Sequence, residues 1–247
     1  MHPPLSLVIL LLITSATSKV VMNRRRSLVC LLSVTLATAT CAKGVELSPV
    51  VMSWLVAQTN VQSWSADFVQ TRSLKSLTQP LTATGHVWFA APNRFRWELG
   101  NPVQTIALRA TNELLVIYPR LKRVERFPLS GEQMGMWKDA LALLETGFPR
   151  SASELQAQYN ILEQVVQEPI CQLLLQPKSI SARRMMSQIK IEFDVRSFSL
   201  QATQLQFADG SALRNDFTKA VLNPPLEPRQ FSPEIPIDYK VVEPLKK

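Results

Sequence analysis

The sequence predicts a mainly β protein of the α+β class, in which one curved antiparallel sheet carries helices against a single face. Two observations lead to this fold. From Trp64 onward, apolar and polar residues alternate with a period of two, which is typical of strands with one buried face. A helical period of apolar residues occurs at only two main places, near Val51 and near Met136.

The first half of the predicted fold is one helix followed by a meander of strands. Ser48 can cap the helix with Pro49 at its first position, and apolar residues keep a helical spacing to about Asn60. Strands then begin at Trp64 and at His86, and the short Pro-containing separators suit turns between antiparallel neighbours. The further strands predicted here cover residues 94–99, 103–109, 113–118 and 122–127.

The second half adds a longer helix, a second group of strands and a tail. The helix covers residues 134–146, where Gly147 and Pro149 end it, and a short helix at 153–158 follows. Asp209-Gly210 predicts a hairpin turn. The tail from residue 223 contains six prolines, so it can extend but cannot pair in the centre of a sheet. The strands predicted in this half cover residues 159–166, 170–175, 188–195, 200–207 and 213–221.

Residues 1–42 have the three parts of a secretory signal peptide. Arginines 24–26 precede an apolar run at residues 28–36, and small residues follow at 37–42. Met22 is an alternative start for the same pattern. The cleavage positions left open are those after Ala39 and Ala42, and the one before Cys41 if the chain becomes a lipoprotein. The remaining residues, 43–247, are predicted to form a single secreted domain.

The composition argues against most cofactor and polyanion chemistry. The chain of 247 residues has 46% apolar residues, but only 7 Gly, 3 Cys and 2 His, which leaves little material for phosphate loops or metal clusters. Removing the four basic residues of the leader lowers the formal charge from +8 to +4. We therefore expect no cofactor, no metal site and no nucleic-acid partner.

No catalytic constellation stands out either. The chain has no Gly-x-Ser-x-Gly segment, and His86 lies within a predicted strand, where a structural histidine is the simpler interpretation. The sequence therefore favours a protein that is not an enzyme. Its distinctive residues are aromatic and apolar, but the sequence pattern does not distinguish a filled core from an apolar cavity.

One segment resembles a known family. Residues 85–98 read Gly-His-Val-Trp-Phe-Ala-Ala-Pro-Asn-Arg-Phe-Arg-Trp-Glu, and Phe68-Val69-Gln70 and Tyr118-Pro119 lie before and after them. These segments, in this order, resemble LolA, the periplasmic outer-membrane lipoprotein carrier family. The family often has a basic residue just before the Pro, where this chain has Ala91.

The resemblance implies an open half-barrel whose helices cover its concave face above an apolar cavity for lipoprotein acyl chains. It implies a monomer that carries lipoproteins from an inner-membrane release complex to an outer-membrane receptor, with no catalytic residue. Ala91 leaves open a carrier of another lipophilic cargo, and a lipid-sensing envelope module is a further alternative. The lipid-binding residues predicted on this basis are Trp54, Phe68, Trp88, Phe95, Trp97, Met134, Trp137 and Leu141.

Overall fold

The computed structural model describes residues 46–109, 112–129, 149, 151–232 and 234–244. All of these except Glu46 belong to one compact unit, Leu47–Lys247. The described residues form three helices, α1 (Pro49–Gln58), α2 (Ala152–Gln158) and α3 (Ile180–Met185). The strands are β1 (Ser63–Ser73), β2 (Leu81–Ala90), β3 (Arg94–Leu99), β4 (Thr105–Arg109), β5 (Glu113–Tyr118), β6 (Arg123–Pro128), β7 (Tyr159–Gln167), β8 (Ile170–Pro177), β9 (Met186–Asp194), β10 (Leu200–Phe207), β11 (Ala212–Leu222) and β12 (Lys240–Val242).

The described strands make a single twelve-stranded sheet in the order β12-β6-β5-β4-β3-β2-β1-β11-β10-β9-β8-β7. Strands β12 and β7 lie at opposite edges, so the sheet is open and is not closed into a barrel. The mainly β prediction is confirmed. All the described pairs are antiparallel except β12–β6, which is parallel, and this corrects the expectation of a purely antiparallel sheet.

Each described helix begins on a serine that acts as its N-cap. The hydroxyl of Ser48 accepts a hydrogen bond from the Val51 amide at 3.4 Å, and Ser151 and Ser179 make the equivalent contact for α2 and α3. The serine oxygen satisfies one of the free amides of the first turn. Helix α3 was not predicted, because six residues are too few to show a helical period.

The two faces of the sheet differ in what covers them. Trp54 of α1 packs on Phe193 of β9, so we call this side the helix face. Registered neighbours point to the same side of a sheet. The pairings Ile191–Thr203, Thr203–Asn215 and Asn215–Gln70 therefore place the buried residues of β1 on the helix face as well.

The opposite face, called here the tail face, is covered over β2–β6 by the C-terminal tail. Phe231 of the tail is buried there, and the guanidinium carbon of Arg94 lies 5.1 Å from the centre of its ring. Arg96 donates a hydrogen bond to the Gln230 carbonyl at 3.3 Å. The tail then pairs at the sheet edge as β12, in agreement with the expectation that it cannot pair centrally. The buried residues of this apolar cluster are Ala90, Leu108, Leu115, Ile117, Val124 and Phe231.

Candidate functional site

An aromatic cluster occupies the helix face of β1, β3 and β11. The rings of Phe68 and Trp97 lie 4.3 Å apart, and Phe217 lies 6.4 Å from Phe68 and 6.3 Å from Trp97. Trp64 meets Phe217 edge to face at 5.1 Å. Aromatic pairs at these separations attract one another beyond simple burial, and these rings form one apolar layer in which Trp64 and Phe68 are fully buried. We call Trp64, Phe68, Trp97 and Phe217 the aromatic cluster.

Gly85 allows the Phe68 ring to come close to the backbone of the neighbouring strand. Gly85 is paired with Phe68 across β1 and β2, and a Cβ atom at this position would overlap the Phe68 ring and the Glu98 carbonyl. A strand glycine is useful where another group must approach the backbone closely. The glycine that opens the Gly-His-Val-Trp segment is therefore a packing requirement of the aromatic cluster.

Phe95 and Trp97 share the helix face, as their two-residue spacing predicts. Phe95 is paired with Phe89, and Trp97 is paired with Val87, whose partner across β1 is the buried Ala66. Of the residues predicted to bind lipid, Phe68, Phe95 and Trp97 are thus brought to one surface.

Trp88 lies on the other side of the sheet. It is paired with Arg96 and packs against the apolar cluster under the C-terminal tail. Since successive strand residues point to opposite faces, it cannot line the same surface as Phe95 and Trp97. Trp88 is therefore on the opposite face from Phe95 and Trp97, and its part in lipid binding stays a prediction.

Trp54 is also apart from the aromatic cluster. Its ring is fully buried and stacks on Phe193 at 4.7 Å with an angle of 6° between the planes. Strand β9, which carries Phe193, is separated from β1 by two strands. The remaining predicted residues, Met134, Trp137 and Leu141, and the predicted helix that holds them, lie outside the described residues.

The helix face of β1 becomes polar at one end. Gln70 and Arg72 continue the buried side of the strand after Phe68. Gln70 donates a hydrogen bond to Asn215 Oδ1 at 3.0 Å, and the Asn215 amide lies 3.4 Å from Thr203 Oγ1. The Phe-Val-Gln segment thus places one ring and one amide side by side on the same face. The two-residue spacing from Phe68 to Gln70 and Arg72 is the sequence signal that could have placed Arg72 on this buried face.

Arg72 carries a buried guanidinium. Only 7% of the residue is exposed, and within the described part of the chain its Nη2 atom has no hydrogen-bond partner. Burial lowers the pKa of Arg72, since desolvation disfavours the charged form, and the nearby carboxylate of Asp209 partly offsets this effect.

Residues 59–234, more than half of the chain, match the family model described as outer membrane lipoprotein carrier protein LolA. The chain belongs to the LolA family. Proteins of this family are carriers or binding proteins. The expected membership is therefore confirmed. The open, mainly β sheet described above is the fold of this family.

Solved structures similar to this LolA family chain are distant in sequence. An uncharacterized conserved protein from Thermus thermophilus has 10% identity and a TM-score of 0.47, with 78% of this chain and 97% of that chain covered. A putative outer membrane lipoprotein-sorting protein domain from Vibrio parahaemolyticus has 10% identity and a TM-score of 0.39, covering 74% and 94%. A LolA superfamily protein from Nitrosomonas europaea has 11% identity and a TM-score of 0.39, covering 74% and 97%. A comparison with curated proteins gives no match.

His86, the histidine singled out in the sequence, lies on the tail face of this LolA family sheet. Its Nδ1 atom lies 2.6 Å from Asp67 Oδ1, its ring packs 4.1 Å from that of Trp88, and Lys219 Nζ lies 3.0 Å from the other Asp67 oxygen. The hydrogen bond with His86 lowers the pKa of Asp67, and Lys219 adds to this effect. The group is a partly exposed ion-pair network on the face opposite the aromatic cluster.

A groove of about 210 Å³ crosses the tail face of β7–β10, beyond the C-terminal tail. Its walls are mostly polar, with four glutamines, and Glu163 and Lys190 add opposite charges. No group of three or more His, Cys, Asp or Glu side chains among the described residues is arranged to hold a metal ion. None of the helices described in the structure has the length and apolar composition that crossing a membrane requires. The glutamines are Gln172, Gln188, Gln204 and Gln206.

Proposed function

We propose that this protein is a periplasmic carrier that holds lipoproteins by their acyl chains and moves them from the inner to the outer membrane. The observation that carries the proposal is the aromatic cluster on the helix face, in a chain of the LolA family. Aromatic rings lining one face of an open sheet offer an apolar surface that an acyl chain can occupy. The signal-peptide pattern of residues 1–42 supports the periplasmic location.

The free energy of acyl-chain burial favours a carrier that catalyses no reaction. An acyl chain of roughly 16 carbons gains on the order of 12 kcal/mol on burial, at about 0.8 kcal/mol per methylene. Escape of such a chain into water is too slow to be useful. Transfer must therefore occur between apolar sites in direct contact, and this requires docking partners at both membranes. We propose an inner-membrane release complex and an outer-membrane lipoprotein receptor as these partners, with the carrier acting as a monomer and not as an enzyme.

The binding residues proposed are those that the helix face brings together, Phe68, Phe95 and Trp97, with Phe217 as a residue that the sequence did not single out. Trp88 is left out because it lies on the tail face. Gly85 supports the surface indirectly, since it leaves room for the Phe68 ring.

Release of a triacylated lipoprotein from spheroplasts that retain the inner-membrane release complex tests the proposal. We expect the wild-type protein to release it. Trp97→Glu, which places an ion on the apolar surface, should reduce release at least tenfold with an unchanged far-ultraviolet spectrum. Trp88→Glu is the matched control, because it makes the same change in the neighbouring strand on the opposite face, and should retain release.

Two results would count against the proposal. One is a wild-type protein that releases no lipoprotein although the release complex is active. The other is equal loss in both Trp variants while both remain folded. If Trp97→Glu fails to fold, Trp97→Leu keeps the surface apolar and should lower release by a smaller factor.

A second cargo is favoured by Ala91. Its methyl group stands directly before Pro92, where the family often has a basic residue, and its amide donates a hydrogen bond to the Gln62 carbonyl at 2.8 Å. We propose a glycolipid or another acyl product as the alternative cargo. Mass spectrometry of lipids that co-purify with the secreted protein distinguishes the two, because a lipoprotein cargo gives acylated peptides after proteolysis and the alternative gives free lipids.

A further inference from the structure

Arg72 is a buried cation whose Nη2 atom has no hydrogen-bond partner in the described part of the chain. The guanidinium carries five N–H groups and accepts nothing. The nearby carboxylate of Asp209 acts on Arg72 by charge, and its Oδ1 atom accepts hydrogen bonds from the Ser211 amide at 2.8 Å and from the Ser211 hydroxyl at 2.6 Å. Buried polar groups almost always have partners, so an orphaned group of this kind calls for an explanation.

Arg214 is an arginine of the same sheet whose hydrogen bonds are satisfied by carboxylates, and it can be compared with Arg72. It lies on the neighbouring strand β11 and points to the tail face. Its two terminal nitrogens donate to the two oxygens of Glu192 at 2.9 and 2.8 Å, and its Nε donates to Asp216 at 2.8 Å. This is the forked pairing that an arginine makes with a carboxylate. Arg72 Nη2 lacks such a partner in the described part of the chain.

Arg72 lies on the same strand and the same face as the aromatic cluster. It follows Phe68 by four residues, so the two Cα atoms are separated by roughly 13 Å at about 3.3 Å per strand residue. Gln70 lies between them and is held by Asn215. The helix face of β1 therefore changes from aromatic rings to a cation over about the length of a medium acyl chain.

We propose that Arg72 binds the anionic head group of an amphiphile, a carboxylate or a phosphate, whose chain lies against the aromatic cluster. An anionic oxygen would accept the N–H groups of Arg72 Nη2, and anions such as carboxylate and phosphate are the partners that a guanidinium favours. The proposal rests on the acyl-binding surface of the proposed function, and not on the lipoprotein as the cargo. It makes charged amphiphiles the preferred substrate class of that surface.

Displacement of Nile red from the secreted protein at pH 8 measures this preference. The probes are laurate, dodecyl phosphate and dodecanol, which share one chain, and inorganic phosphate, which has none. We expect wild-type protein to bind the two charged amphiphiles at least tenfold more tightly than dodecanol. Arg72→Gln should lose this preference and keep its dodecanol affinity within twofold. Arg214→Gln, the matched control on the opposite face, should keep the preference.

The outcomes separate this proposal from the carrier function. Binding of all three dodecyl compounds with equal affinity, or an unchanged preference in Arg72→Gln, overturns the role of Arg72 and leaves acyl binding intact. If none of the three binds, the acyl-binding surface itself is wrong. Inorganic phosphate that binds as tightly as dodecyl phosphate shows a free-anion site and also overturns the proposal. The ratio of laurate to dodecyl phosphate affinity identifies which head group is preferred.

A stability measurement keeps the proposal testable if Arg72→Gln folds poorly. Replacing an unpaired buried cation with an apolar residue of similar length should stabilise the empty protein, because binding sites commonly lower stability. Arg72→Met is therefore expected to unfold at a higher temperature than wild type, and to lose the head-group preference. A lower unfolding temperature would mean that the guanidinium already has a structural partner, which overturns the proposal.

Discussion

Strands β2–β6 and strands β7–β10 belong to one sheet but are buried differently. In β5, five successive residues, Leu114 to Tyr118, are buried, and two of them, Leu115 and Ile117, belong to the cluster under the C-terminal tail. In β8, buried residues alternate with partly exposed ones, and the tail face there is the polar groove. The difference teaches that alternation in a strand reports how many of its faces are covered, not where the strand lies in the sheet.

The largest effect is expected where α1 covers the β7–β10 half. Trp54→Ala removes a fully buried ring from its stack on Phe193 and should lower the free energy of unfolding by about 4 kcal/mol. Met52→Ala is the control, since Met52 is on the same helix but 42% exposed, and should change it by less than about 0.5 kcal/mol. Urea unfolding measures both. Equal decreases in the free energy of unfolding for the two variants would mean that burial of Trp54 against β9 does not stabilise this half of the sheet.

The next largest effect tests the tail on the β2–β6 half. Phe231→Ala empties the centre of the tail-face cluster and should cost about 3 kcal/mol. Hydrogen exchange should become faster in β12 than in β8, because the tail loses its anchor while β8 has no residue in the tail-face cluster. Ile237→Ala, a change at a fully exposed tail residue, should leave exchange unaltered. Uniform acceleration across the sheet would contradict a separately anchored tail.

A smaller effect is expected for the packing of the aromatic cluster. Gly85→Ala pushes the added methyl against the Phe68 ring and should destabilise by about 2 kcal/mol, with a changed near-ultraviolet signal from Trp97. Gly210→Ala is the matched control. This change strains a turn residue with φ of +82°, and the added methyl group meets the side chain of Lys75. It should therefore lower the free energy of unfolding by about 1 kcal/mol and leave the near-ultraviolet signal of Trp97 unchanged. The same aromatic change in both variants would refute this account of Gly85.

The smallest effect is a pH dependence on the polar side of β9. Hydrogen bonds from Arg214 hold the pKa of Glu192 below its usual 4.5. Because the folded-state pKa is lowered, the stabilisation is present above about pH 4.5 and is lost as the pH falls through the folded-state value. Glu192→Gln should cost about 1 kcal/mol at pH 7 and show a weaker decline in acid. Glu168→Gln, which breaks a far more exposed pair with Arg196, should leave the profile unchanged.

The sequence pattern predicted the strands well, but it did not show what covers each face of a strand. The alternation in β2 separated Trp88 from Phe89, yet both sides of that strand are apolar because the tail covers one of them. That cover comes from a distant part of the chain, which local periodicity cannot report. Strand β12 was missed for a related reason, since three residues carry no period.

The candidate site was predicted in its aromatic part and missed in its polar part. The two-residue spacing of Phe95 and Trp97 was enough to place both on one face. Arg72 was overlooked because an arginine is normally taken to point to solvent, although alternation from Phe68 places it on the buried side. A charged residue in phase with buried aromatic residues is thus a signal that sequence analysis can use.

The pairing of β1 with β11 has a consequence for the order in which the chain can fold. Trp64 is paired with Leu222, and these two strands join the β2–β6 half to the β8–β10 half. A ribosome delivers β1 long before β11, so the centre of the sheet stays unpaired on one side until nearly the whole chain has been made. Contacts so distant in sequence slow folding. The newborn chain therefore spends its synthesis with an exposed strand edge, in a state that a chaperone can recognise.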